Sequence, residues 1–168
     1  MAVANTKSTV VTGADSTPRV LSNPHLARGT LIETVGVCEV AAADDNASVY
    51  RFVRVRSSDR ISEIMLANDA ITGGTDYDVG IYETAAYGGA VVSKDVFADG
   101  LDVSSAVAFR DVLYHDAAAN IDKAEKRVWE WLGLSADPQK DYDIAATGNT
   151  VGSGAGTLAL RVRLCAGN

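Results

Sequence analysis

Thr157-Leu-Ala-Leu-Arg-Val-Arg-Leu-Cys-Ala166 alternates without a fault. Leu158, Leu160, Val162 and Leu164 point one way, and Thr157, Ala159, Arg161 and Arg163 point the other. A period of two over that length marks a strand with one buried and one wet face. Working back from it, Tyr142-Asp-Ile-Ala-Ala146 reads as another strand, joined to it through the glycine-rich stretch Gly148–Gly156. The two are expected to form an antiparallel pair with a long flexible connection.

The same grammar extends toward the N-terminus. Thr30–Val40 is rich in β-branched residues, with Ile32, Thr34, Cys38 and Val40 on one face and Glu33 and Glu39 on the other. Val49–Arg56 and Ile61–Leu66 alternate, Tyr77–Tyr82 follows, and in Val107–Leu113 the residues Val107, Phe109 and Leu113 share a face. Turn residues separate these runs: Ala43-Asp-Asp-Asn46, Asn68-Asp69, Thr72-Gly-Gly74 and Tyr87-Gly-Gly89. Short strands at near-regular spacing predict an all-β fold, an antiparallel sandwich or barrel.

Two segments depart from this pattern. Ile121, Ala124, Val128, Trp129, Trp131 and Leu132 fall on one arc of a helical wheel, with Glu125 the single misplaced charge. One short amphipathic helix over about 117–132 is therefore expected, closed by Gly133 at C′ and Leu134 after it. Residues 1–27 carry Ser, Thr, Ala and Asn without periodicity and hold two of the three prolines, so they read as an extended N-terminal arm ahead of one sandwich domain, 28–168. Val10, Val11, Pro18, Val20, Leu21 and Pro24 are the arm's candidates for gripping a partner.

Composition narrows the function. Fifteen basic residues against twenty-two acidic ones give −7, which opposes a nucleic-acid role because phosphate binding needs clustered cations. A hydrophobic share of 47% in 168 residues suits one well-cored domain rather than a disordered chain. No run reaches the ~18 apolar residues of a membrane span, and Met1–Thr9 lacks the apolar core of a secretion signal. A protein made and kept in a cytoplasm is expected, with Cys38 and Cys165 reduced. Two His and two Cys leave little material for a metal site.

Candidate chemistry is thin. Gly152-Ser-Gly-Ala-Gly156 is followed by a strand where a phosphate loop needs a helix. His115-Asp116 lacks a nucleophile motif beside it. Asp76 and Asp78, with Asp95, Asp99 and Asp102 further on, lack the closing Glu of an EF-hand and read more simply as acids beside turns. No catalytic, cofactor or metal residue is assigned; Asp76, Asp78 and His115 would be the candidates of an enzyme.

Four stretches carry a resemblance: Ala67-Asn-Asp-Ala-Ile-Thr-Gly-Gly-Thr-Asp-Tyr-Asp-Val-Gly-Ile-Tyr82, Gly88-Gly-Ala-Val-Val92, Asp95-Val-Phe-Ala98 and Arg127-Val-Trp-Glu-Trp-Leu-Gly-Leu134. Across about residues 45–165 the chain resembles the capsid decoration, or cement, proteins of tailed bacteriophages, which have a jelly-roll sandwich. The resemblance implies a structural virion protein that binds the capsid exterior. It would bridge capsomers as a dimer or trimer, with the major capsid protein as partner. The matching residues are framework, so no capsid-contacting position carries across, and the acidic balance suits the outside of a shell rather than its genome-facing side. The alternative is a carbohydrate-binding or head–tail or fibre β-sandwich module, since sandwiches host many binding functions.

Overall fold

The computed structural model of the chain describes residues 4–115 and 121–167. Eight strands carry the fold: β1 (Leu31–Val40), β2 (Ser48–Arg56), β3 (Arg60–Asn68), β4 (Asp76–Glu83), β5 (Val91–Leu101), β6 (Val107–Asp111), β7 (Asp141–Thr150) and β8 (Gly156–Cys165). They form two four-stranded sheets, ordered β1-β8-β3-β6 and β2-β7-β4-β5, with every pairing antiparallel. β1 lies beside β8, β2 beside β7, β3 beside β6 and β4 beside β5. The chain is thus one long hairpin rolled up across two sheets, which is the jelly roll.

That topology corrects one expected pairing. β7 and β8 are not partners: β7 lies between β2 and β4, and β8 between β1 and β3 in the other sheet. Nor is the connection between them loose. Ser153 N–H donates to the Thr72 carbonyl at 2.8 Å. A Cβ on Gly152 would lie 2.4 Å from that same oxygen, so glycine (φ +89°) permits the loop to lie against the β3–β4 turn.

The core lies between the sheets. Leu158, Leu160, Val162 and Leu164 of β8 and Ile61, Ile64 and Leu66 of β3 face Tyr77, Val79 and Ile81 of β4 and Tyr142, Ile144 and Ala146 of β7, all buried. β4 is buried on both faces because β5 does not run flat beside it. Ile81 pairs with Ser93 but Val79 with Ala98, so five residues of β5 span two of β4. The surplus bulges over the outer side of β4. A Cβ on Gly80 would meet the Ser93 carbonyl at 2.1 Å, and only glycine admits that approach. β5 is also the one strand that sequence reasoning missed, since Lys94-Asp95 and Asp99-Gly100 break its alternation.

The helix expected over 117–132 is not continuous. Residues 116–120 lie outside the described segments; beyond them come a 3-10 turn, Ile121–Lys123, and a single α turn, α2 (Val128–Trp131). Val128 N–H donates to Asp59 O (2.8 Å) and Trp129 N–H to Ser57 O (3.1 Å), so the β2–β3 turn takes donors that a longer helix would spend internally. Arg127 is accordingly extended, and its N–H is capped by the Glu130 carboxylate at 2.7 Å. Ile121, meant for the apolar arc, is 89% exposed, whereas Val128 and Trp131 are buried and Trp131 packs on Phe97 with centroids 5.4 Å apart. The expected close does form: Gly133 takes φ +69° and Leu134 N–H reaches Trp129 O.

Residues 4–27 are not wholly extended either. Ser8 caps a short helix, α1 (Thr9–Asp15), that buries no residue.

Candidate interaction surfaces

The acidic cluster is occupied by the protein's own groups. Carboxylate oxygens of Asp76, Asp78 and Asp99 lie within 4.8 Å of one another. Asp78, fully buried on the outer side of β4, faces the Lys94 ammonium at 2.8 Å. It also accepts from Asn149 Nδ2 (2.7 Å) and Gly100 N–H (3.1 Å), while Asn149 donates a second bond to Asp76 at 3.0 Å. Burial pushes the Asp78 carboxyl up, but the bonds from Lys94, Asn149 and Gly100 together outweigh it and hold the group below the ordinary aspartate range. Lys94 is raised by the same contact. The cluster braces β4, β5 and β7, with Lys94 of β5 paired to Asp78 of β4 and Asn149 of β7 bonded to both Asp76 and Asp78.

Neighbouring polar groups on this sheet are tied as well. Asp143 of β7 accepts from Arg51 (3.0 Å) and Arg54 (2.9 Å) of β2, and Tyr82 bonds Thr147. Arg51 reaches on to the carbonyls of Glu83 and Gly89. His115 is exposed at the end of β6, its N–H directed to Val112 O, and Asp116 lies outside the described residues. His25 is buried, its imidazole pKa lowered chiefly by that burial, and its carbonyl accepts from Arg60 Nε at 2.6 Å. The structure does not bring His115 and His25 together with the acidic cluster by any contact among the described residues.

The arm is a hook. Ser16 Oγ donates to Gly13 O (2.7 Å) and accepts from Val20 N–H (3.1 Å), which also reaches Gly13 O (3.0 Å). The chain therefore doubles back on α1 and encloses a hollow of about 360 Å³. Of the six arm candidates, Val10, Val20, Leu21 and Pro24 line that hollow together with Arg19 and Arg28. Val11 and Pro18 are exposed and do not line it. Leu21 is 76% exposed. The hook is rooted where Arg60 holds His25 and where Gly29 packs against the Pro24 carbonyl.

A second surface went unread in the sequence: β1 and the outer face of its sheet. Val35 is 53% and Val37 60% exposed on that face. Leu31 (58%) and Ile32 (42%) are exposed on opposite faces of the same strand. Beside them Arg163 binds Glu33 (2.7 Å) and Glu63 (3.0 Å), and the Arg161 guanidinium lies 4.8 Å over the Phe109 ring. The signal was present, because β1 has apolar residues on both parities, a pattern shared by fully buried strands.

No protein-family model matches the chain, and no curated protein sequence matches it. Its fold is similar to that of a chain in the capsid of Ralstonia phage GP4, with a TM-score of 0.56 and 15% identity over 83% of this chain and 86% of that one. A chain of the cyanophage Pam1 capsid asymmetric unit aligns over 90% of this chain and 96% of that one, with a TM-score of 0.49 and 12% identity. A chain of the acid-stable capsid of Helicobacter pylori bacteriophage KHP30 aligns over 82% and 92%, with a TM-score of 0.43 and 14% identity.

Proposed function

We propose that the chain is a structural virion protein of a bacteriophage, bound to the outer surface of the capsid and stabilising it by bridging capsomers. The observation that carries this reading is the jelly roll shared over most of both chains with the Ralstonia phage GP4 capsid chain. The disposition of side chains supports it. The carboxylates that an enzyme would need are engaged in holding strands together, so Asp76 and Asp78 act as framework. The hook and β1 each carry exposed apolar groups, among them Val20, Leu21, Val35 and Val37, that a protein partner would cover.

In this reading the major capsid protein is the partner and the hook is the strap. Val20 and Leu21 present apolar side chains on a loop already folded by its own hydrogen bonds, which lowers the ordering cost of docking. Weak grips by several copies on one lattice then add through avidity. The test is co-sedimentation of the purified protein with phage shells that lack it. Saturable pelleting with shells supports the role, and a protein that stays in the supernatant at every ratio overturns it. A glycan array run in parallel separates the carbohydrate-binding alternative, which requires a saturable sugar signal.

A further inference from the structure

Each sheet of a sandwich ends in two edge strands, whose unpaired N–H and C=O groups invite a further strand unless something blocks it. Three of the four edges here are blocked. β2 carries a register shift at Arg51/Val53 and three arginines, Arg51, Arg54 and Arg56. β5 shifts register three times and carries Lys94. β6 is five residues long, shifts against β3 and carries Arg110. β1 has none of these features: its ten residues pair with β8 in unbroken register, without proline, lysine or arginine.

The open side of β1 can be read from the ladder. Ala166 N–H donates to Thr30 O, so the alternation of an antiparallel pair turns the backbone groups of Ile32, Thr34, Gly36, Cys38 and Val40 toward β8. Those of Leu31, Glu33, Val35, Val37 and Glu39 point away and meet no backbone partner among the described residues. The apolar residues beside them are exposed on both faces, so a strand added here would bury side chains as well as satisfy the backbone. The strand's two acids do not guard the edge. Glu33 is held by Arg163, and Glu39 accepts from the Thr157 hydroxyl at 3.1 Å.

We infer that β1 is the pairing edge of a two-fold homodimer, in which β1 of one copy adds antiparallel to β1 of a second copy and joins two four-stranded sheets into one of eight. Two arguments select a second copy. Among the described strands, β1 is the only edge regular enough to match all of β1. Its charges also fit: a two-fold axis at Val35 sets Val35 against itself, Glu33 against Val37 and Leu31 against Glu39. Of the two neighbouring registers, the one centred on Gly36 would set Glu33 directly against Glu39, where like charges repel, and the one centred on Thr34 would leave Glu39 outside the strand pairing and shorten the ladder. The chosen register forms a ladder of about ten N–H···O bonds, two for each facing pair of outward residues. The inference deepens the bridging role and rests on it for its purpose, since a two-headed particle reaches two capsomers.

Light scattering of the full chain over a concentration series tests the pairing. A dimer is expected, with twice the chain mass. Val35→Lys with Val37→Lys is expected to weaken it at least about tenfold by placing charge on the edge, while Val91→Lys, an exposed valine on β5, leaves it intact. Far-ultraviolet circular dichroism checks that each variant is folded. In a chain with both native cysteines changed to serine, Val35→Cys is expected to form an intermolecular disulfide on oxidation and Val91→Cys to form none. A monomer at about 100 μM, far above the Kd of a working interface, overturns the inference, and so does a dimer indifferent to the two lysines. Shell binding by a monomeric protein would refute the β1 pairing and leave the virion role standing. A β1 dimer that ignores shells would do the reverse.

Discussion

Replacing Asp78 with Asn removes one charge from a fully buried side chain and changes almost nothing in its shape. Three donors converge on the carboxylate: Lys94 Nζ at 2.8 Å, Asn149 Nδ2 at 2.7 Å and the Gly100 N–H at 3.1 Å. The amide keeps one acceptor oxygen, enough for one of the two neutral donors, and turns its own NH₂ toward the others. Lys94 is about half exposed and can return to water, so its share is small. The larger loss falls where the NH₂ replaces an oxygen: Asn149 and Lys94 share Oδ2 and the Gly100 N–H takes Oδ1, so in either orientation of the amide one side of the site is left donor against donor. A buried hydrogen bond to a charged group contributes roughly 1.5–3 kcal/mol, so we predict a loss of about 2–4 kcal/mol. In urea, with a slope of about 2 kcal/mol per molar for a chain of this size, the midpoint falls by roughly 1–2 M. Tryptophan fluorescence reports it, because Trp131 sits in the core.

The pH dependence has a definite sign. The folded pKa of Asp78 is depressed, so its contribution is fully present above the unfolded carboxylate value of ~4 and is lost as pH falls through the folded value. The gap between wild type and Asp78→Asn therefore narrows on acidification. A change below about 0.5 kcal/mol at neutral pH would refute the brace. Stabilisation of the wild type, but not the variant, by millimolar calcium would refute it differently by making the cluster a cation site.

Three further substitutions probe other parts of the account. Gly80→Ala drives a Cβ to 2.1 Å from the Ser93 backbone oxygen, and a cost of about 3 kcal/mol in thermal or urea unfolding is expected as β5 is forced off β4. Leu160→Ala, at a fully buried position of β8, should cost about 2–5 kcal/mol by the same assays, according to how far the two sheets close over the cavity. Leu21→Asp with Val20→Asp changes exposed hook residues, so stability should stay within about 0.5 kcal/mol per substitution while pelleting with shells falls sharply.

The parts of the fold that were legible in the sequence are those governed by one face of one strand. β8 alternates because its inner residues meet the opposite sheet and its outer residues meet water. β7 was legible as a strand but not as the partner of β2 and β4, because pairing in a rolled hairpin depends on residues far away in sequence, from Glu83 opposite Tyr142 to Ser48 opposite Gly148. β5 was illegible because its path is set by the gap above Gly80 rather than by its own alternation. The helical wheel over 117–132 misled for a similar reason, since the Ser57 and Asp59 carbonyls of a distant turn capture the amides that the wheel assigns to the helix. Four of the arm residues, Val10, Val20, Leu21 and Pro24, do come together, but through side-chain-to-backbone bonds of Ser16 that carry no periodic signal. The exposure of β1 was hidden by ambiguity, as apolar residues on both parities suit a strand buried on both faces or one covered only by a partner.

The central claim is that this jelly roll works on the outside of a bacteriophage shell. Electron cryo-microscopy of shells mixed with the purified chain tests it most directly. The account predicts ordered sandwich density seated outside the continuous shell, with the hook of residues 4–27 against the shell protein and each particle touching more than one capsomer. Bare shells at saturating protein, or density confined to the inner surface, would contradict it.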